Sequence, residues 1–63
     1  MNTADKKKIF TAAANLKNDC HRAQTNEGRE DIGILIGFMC DFSQSVMKMV
    51  NTIDSVEKKE NGK

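Results

Sequence analysis

The stretch "GREDIGILIGFMCDF", residues 28–42, decides how the rest of the chain is read. Nine consecutive residues within it, Ile32 to Cys40, carry no charge, and two of them, Gly33 and Gly37, are glycines. The apolar pattern runs on past Phe42. Ile32, Leu35, Met39, Phe42, Val46, Met49, Ile53 and Val56 recur at alternating spacings of three and four. That pattern marks one face of a long helix and, sustained over more than three heptads, a coiled-coil-like seam. The helix is expected from about residue 29 to about 57. Glu30 and Asp31 then lie in its first turn and Lys58 and Lys59 at its far end, each sign matching the helix dipole. Residues 58–63 read as a charged, frayed tail.

Upstream, "QTNEGRE" breaks the helical period. Thr25 and Asn26 are turn and capping types, and Gly28 allows a positive φ, so a chain reversal is expected over residues 25–28. Before it, Ile9, Ala13, Leu16, Cys20 and Ala23 form a stripe on a helix of about residues 3–24. Asn2 or Thr3 caps that helix, with Asp5 in its first turn. A short connection makes the two helices antiparallel neighbours. The expected fold is all-α: one helical hairpin domain over residues 1–57 that self-associates into a helical bundle.

The long seam is expected to hold the first helix, with Ala23 near Ile32, Cys20 near Leu35, Leu16 near Met39, Ala13 near Phe42 and Ile9 near Val46. Cys20 and Cys40 then lie more than one turn apart, which argues against a bond between them. A second line, Ile36, Cys40, Ser43, Met47 and Val50, repeats the 4, 3, 4, 3 spacing, and Ile34 and Phe38 add a third patch. One slim partner helix cannot cover all of this, and monomers rarely expose so much apolar surface. An assembly or partner face is therefore expected at Gly33, Ile34, Ile36, Gly37, Phe38, Cys40, Met47 and Val50. Gly33 and Gly37 would let a second backbone approach closely. A two-fold dimer, forming a four-helix bundle, is the simplest closed product.

Sixty-three residues carry 10 basic and 9 acidic side chains, a net charge of +1. That balance argues against a DNA mimic and against a dedicated nucleic-acid binder, which need strong fields of one sign. Lys6, Lys7 and Lys8, with Lys17, read as a solvated helix start. Two cysteines make no disulfide framework, and CxxC and HxxxH spacings are absent, so neither a metal nor a cofactor is expected. Cys20 and His21 are adjacent, point about 100° apart on a helix, and cannot form a nucleophile–base pair. With no phosphate loop or nucleotide fingerprint either, the chain reads as a non-enzyme. The uncharged run is shorter than the ~20 residues that span a bilayer. The polar residues after Met1 make a secretory signal unexpected. A soluble, cytoplasmic protein without membrane contact is expected. Around the turn, Arg22, Asn26, Arg29 and Glu30 form a candidate anionic-ligand site, where free helix N–H groups meet a fork-shaped donor.

Gly28-Arg29-Glu30, with a helix upstream and Leu35 downstream, resembles the turn of helical hairpins in phage anti-defence proteins that sequester cyclic oligonucleotide signals. The resemblance implies oligomerising hairpins with ligands between subunits near the turn, and it nominates Arg29 and Glu30. The acidic pair and tryptophan of that pattern are replaced here by Met39, Cys40, Ser43 and Gln44. Three functional expectations follow. The first is a non-catalytic, self-associating interaction protein, of a type that regulates or inhibits a host macromolecule for a phage or mobile element. The second is an oligomeric sponge for an anionic nucleotide signal at subunit boundaries. The third is a nucleic-acid accessory factor using the lysine end.

Overall fold

The computed structural model describes residues 1–61 and consists of two helices, α1 (Thr3–Asn26) and α2 (Glu30–Asn61). They lie antiparallel in a rod of 53 × 17 × 11 Å. Asn2 caps α1, its Oδ1 accepting the Asp5 N–H at 2.8 Å. At the other end the helix runs two residues past its expected stop. There Thr25 Oγ1 donates back to the His21 carbonyl (2.9 Å), and the Glu27 N–H bonds the Gln24 carbonyl (3.3 Å). Glu27 is extended and ends α1. The Arg29 carbonyl accepts the Gly33 N–H at 2.9 Å and so begins α2. The expected tail is helical through Asn61, while Gly62 and Lys63 lie outside the described residues. Lys58 and Lys59, in the last turn, match the negative end of the dipole.

The reversal does not use Gly28 in the expected way. No described glycine has a positive φ, and an added Cβ at Gly28 would meet nothing within 4 Å. Its removal therefore costs no strain and narrows the unfolded ensemble. Gly28→Ala is expected to stabilise the hairpin by about 0.4–1 kcal/mol, read as a rise in thermal midpoint.

The hairpin is held by the other stripe of α2. Ile36 and Val50 are buried with Ala13 and Cys20, and Ser43 is fully buried. Cys40 and Met47 are half-buried on the same side. The seam expected there, by contrast, is largely open: Leu35, Met39, Phe42, Met49 and Val56 are exposed. Side-chain volume explains the inversion. Along its buried line α1 offers Ala13 and Cys20, with Lys6 and Gln24 reaching across at its ends. A helix with such a face packs closely only against small residues, and Ser43 and Cys40 are small where Phe42 and Met39 are not.

The register differs too. Lys6 Nζ donates to Asp54 (2.9 Å), Lys17 Nζ to Gln44 Oε1, and Gln24 Nε2 to the Gly33 carbonyl (3.0 Å). The partner of each α1 residue thus lies several residues further along α2 than expected in most of the hairpin. Cys20 falls opposite Cys40 rather than Leu35. The inferred separation of the two cysteines is therefore overturned.

Gly33 and Gly37 sit beside α1, near Gln24. An added Cβ at Gly33 meets nothing within 4 Å, so Gly33→Ala should stabilise by about 1 kcal/mol through helix propensity alone. At Gly37 the Cβ would lie 2.9 Å from Gln24 Nε2 and displace that amide from its bond. Gly37→Ala is expected to gain less than Gly33→Ala when the two are compared by urea titration.

At the open end, Lys6 is clasped by Asp54 (2.9 Å) and Glu57 (3.5 Å), and the Met1 amino group reaches Glu57 at 3.2 Å. The hydrogen bond from Lys6 holds the Asp54 carboxyl below its ordinary value of 3.8. The bond from the amino terminus holds Glu57 below 4.5. The bond to Asp54 raises Lys6 above 10.5. For the carboxylates, the stabilisation is present above the ordinary values and is lost as pH falls through the lowered ones. For Lys6 it is present below 10.5 and lost as pH rises through the raised value. A stability plateau across neutral pH, falling in acid below about 4, is expected. Lys6→Met should flatten the acid limb in a series of thermal melts.

Candidate interaction surface

α2 turns by about 100° per residue, so the large-residue seam lies about a quarter-turn from the line facing α1. Leu35 is 61% exposed and Phe42 63%. Met39, Met49 and Val56 lie along the same side, while Ile32, Val46 and Ile53 are half-buried at its inner edge. Val46 borders an apolar groove of about 250 Å³ whose other walls are Ile9, Ala12, Ala13, Leu16 and Ser43. Ile9 and Leu16 are exposed, so the apolar surface continues from α2 across the groove onto α1. Phe38 and Ile34, also exposed, round its far shoulder. The exposed charges Asp41 and Lys48 lie on the opposite flank of α2 from this seam.

The residues expected to form an assembly face therefore divide. Ile36 and Val50 are buried against α1 and unavailable to a second molecule. Gly33, Gly37, Cys40 and Met47 lie half-buried along or beside the same hairpin contact. Only Ile34 and Phe38 are exposed as anticipated. The residues that present the open surface, Leu35, Met39, Phe42, Met49 and Val56, were all visible in the sequence as a regular seam. Periodicity alone directs them inward, because the seam is the longer and more apolar of the two stripes.

The turn places a carboxylate of the chain itself beside each of the two nominated guanidinium groups. The Arg29 guanidinium bonds Asp31 at 2.8 Å, and the Arg22 guanidinium lies 3.8 Å from Asp19. The Arg29 N–H donates to Glu27 Oε1 (3.0 Å), and the Ile32 N–H to Asp31 Oδ1 (2.9 Å). Carboxylates of the chain itself thus occupy the start of α2, and Glu30 adds another beside them. Asn26 is exposed at the end of α1. The lysine cluster is similarly divided: Lys6 is tied to α2, leaving Lys7 and Lys8 exposed. Among the described residues no group of three or more His, Cys, Asp or Glu side chains is placed to hold a metal ion.

Over Glu30–Glu60, α2 is long and apolar enough to cross a membrane by length and composition, and only 17% of its most apolar window is buried in the hairpin. The uncharged run alone was expected to be too short; the continuous helix is not. No family model, curated protein or solved structure matches the chain.

Proposed function

We propose that the protein is a non-catalytic interaction module that pairs with a second copy of itself through the outer seam of α2. The observation that carries this reading is the uncovered heptad. Among the described residues the hairpin buries only Ala13, Cys20, Ile36 and Val50 of its apolar side chains. So small a core gives a chain of this length little stability, and association is a usual compensation. The seam also suits its own reverse. In an antiparallel pair of α2 helices, Ile32 meets Val56 of the other copy, Leu35 meets Ile53, Met39 meets Met49, and Phe42 meets Val46. Every layer is apolar, and the same register brings acidic Asp31 beside basic Lys59 of the other copy at each end, both flanking the seam. A parallel pair would place like charges together instead.

The product is a four-helix bundle with α1 on its flanks. It acts by presenting surface rather than by turning over a substrate. Phe38 and Ile34, at the shoulder of the seam, remain at its edge for contact with another protein. The carboxylates at the turn weigh against an anionic ligand there, because each added negative charge meets like charge at short range.

Cross-linking tests both the pairing and its direction. In a background lacking native cysteines, Ile32→Cys and Val56→Cys chains are oxidised each alone and, in a third sample, after the reduced chains are mixed. The antiparallel pair predicts a heterodisulfide in the mixture and little product from either chain alone, since like positions lie ~36 Å apart along the axis. Self-linking by each chain alone would point to parallel pairing. The absence of any linked product would contradict the association.

A further inference from the structure

The hairpin brings its two thiols together. Cys20 is 4% exposed and lies under α2. Cys40, half-buried, places its Sγ 4.0 Å from the Lys17 carbonyl oxygen. That carbonyl points along α1 toward its C-terminal end, to the level of Cys20. The Cys20 side chain leans back toward the same level, because helical side chains tilt toward the N-terminus. The flanking pairs Lys17–Gln44 and Gln24–Gly33 hold the two helices in this register on either side of the thiols. Burial pushes the Cys20 thiol above its ordinary value, and the facing Cys40 adds to the shift. Both cysteines are free in this structure.

We infer that Cys20 and Cys40 form a redox pair that closes an intrachain disulfide and pins α1 to α2. The oxidant is a low-molecular-weight disulfide of the glutathione class. Cys40, the more accessible sulfur, loses its proton, and its thiolate attacks one sulfur of that disulfide. The S–S bond of the oxidant breaks, and the departing thiolate takes up a proton. Cys20, deprotonated in turn, attacks Cys40 Sγ. The mixed disulfide breaks, and a second low-molecular-weight thiolate leaves and is protonated. Two protein thiols are oxidised and one disulfide is reduced to two thiols. The closed loop spans the whole reversal, so the bond constrains the unfolded chain far more than the folded one. The outer seam of α2 faces elsewhere, and the bond forms whether or not two hairpins associate.

The folded chain is incubated with oxidised glutathione at neutral pH, quenched by alkylation, and analysed by mass under denaturing conditions and by thermal melting. The expected product is a single chain lighter by two hydrogens, carrying a Cys20–Cys40 linked peptide. It should melt roughly 10 °C or more above the reduced chain, and dithiothreitol should reverse the change. Cys20→Ala is expected to stop at a glutathione adduct on Cys40. In Cys40→Ala the buried Cys20 should resist modification, which checks the order of attack with a second variant. Stable glutathione adducts on both cysteines of the folded wild-type chain would overturn the inference. So would disulfides formed only between chains, or an intrachain bond that lowers the melting temperature. Because the readout is the covalent state of one chain, it is independent of the oligomer mass that decides the association.

Discussion

Phe42→Glu is expected to leave the hairpin helical and abolish its association. Phe42 is 63% exposed in the isolated hairpin and makes no part of the buried line against α1. Replacing it therefore removes little from the fold of one chain. In the proposed pair it lies near the middle of the seam, packed on Val46 of the other copy. Two-fold symmetry places two such substitutions in each interface, and each buries an unpaired carboxylate among apolar groups. Removal of a central aromatic anchor typically costs about 2–4 kcal/mol, and here the penalty acts twice. A loss of association by a factor on the order of a thousand or more follows. It should appear as a shift to the single-chain mass by light scattering across the accessible concentration range. Retention of the wild-type mass would show that the seam is not the contact.

The neighbouring residue carries the opposite expectation. Ser43→Leu should destroy the hairpin itself. Ser43 is fully buried where α2 rests on α1, and its Oγ donates to the Met39 carbonyl at 2.8 Å. Leucine adds about two heavy atoms at a fully buried position between the helices, and overpacking of this kind costs about 1–3 kcal/mol or more. With four buried apolar residues among those described, that is a large share of the available stability. Cooperative melting, followed by circular dichroism, should be lost or shifted sharply downward. Ser43→Ala keeps the small volume, and the Met39 carbonyl keeps its place in the helix ladder, so this variant should melt within a few degrees of wild type. If Ser43→Leu melts like Ser43→Ala, the small-residue stripe is not what holds the helices together.

These adjacent positions also show what the sequence made legible. Both helices, the Asn2 cap, the dipole-matched charges and the reversal near residues 25–28 could be read from local chemistry, because capping groups and apolar periods act within a turn or two. The assignment of the two stripes on α2 could not be read the same way. Periodicity marks Leu35, Met39 and Phe42 as one line and Ile36, Cys40 and Ser43 as another, but it does not say which meets α1. Volume complementarity decides that, and the signal was present in Ala13 and Cys20, which leave room only for a slim neighbour. The juxtaposition of Cys20 and Cys40 depended in turn on register. Register was set by long-range partners, Lys6 with Asp54 and Lys17 with Gln44, whose pairing no local pattern announces. At the turn, Arg29 looked available because its bond to Asp31, two residues away, closes only when α2 begins at Glu30.

The uncovered seam is the centre of this account, and sedimentation equilibrium of the wild-type chain in detergent-free buffer tests it most directly. A concentration-dependent mass rising to at least twice the 7.0 kDa of one chain, with helicity rising in parallel, is the predicted result. A fully helical species holding at 7.0 kDa up to high concentration would contradict it. So would a chain that stays in solution only when lipid vesicles are added, for the face would then belong to a membrane.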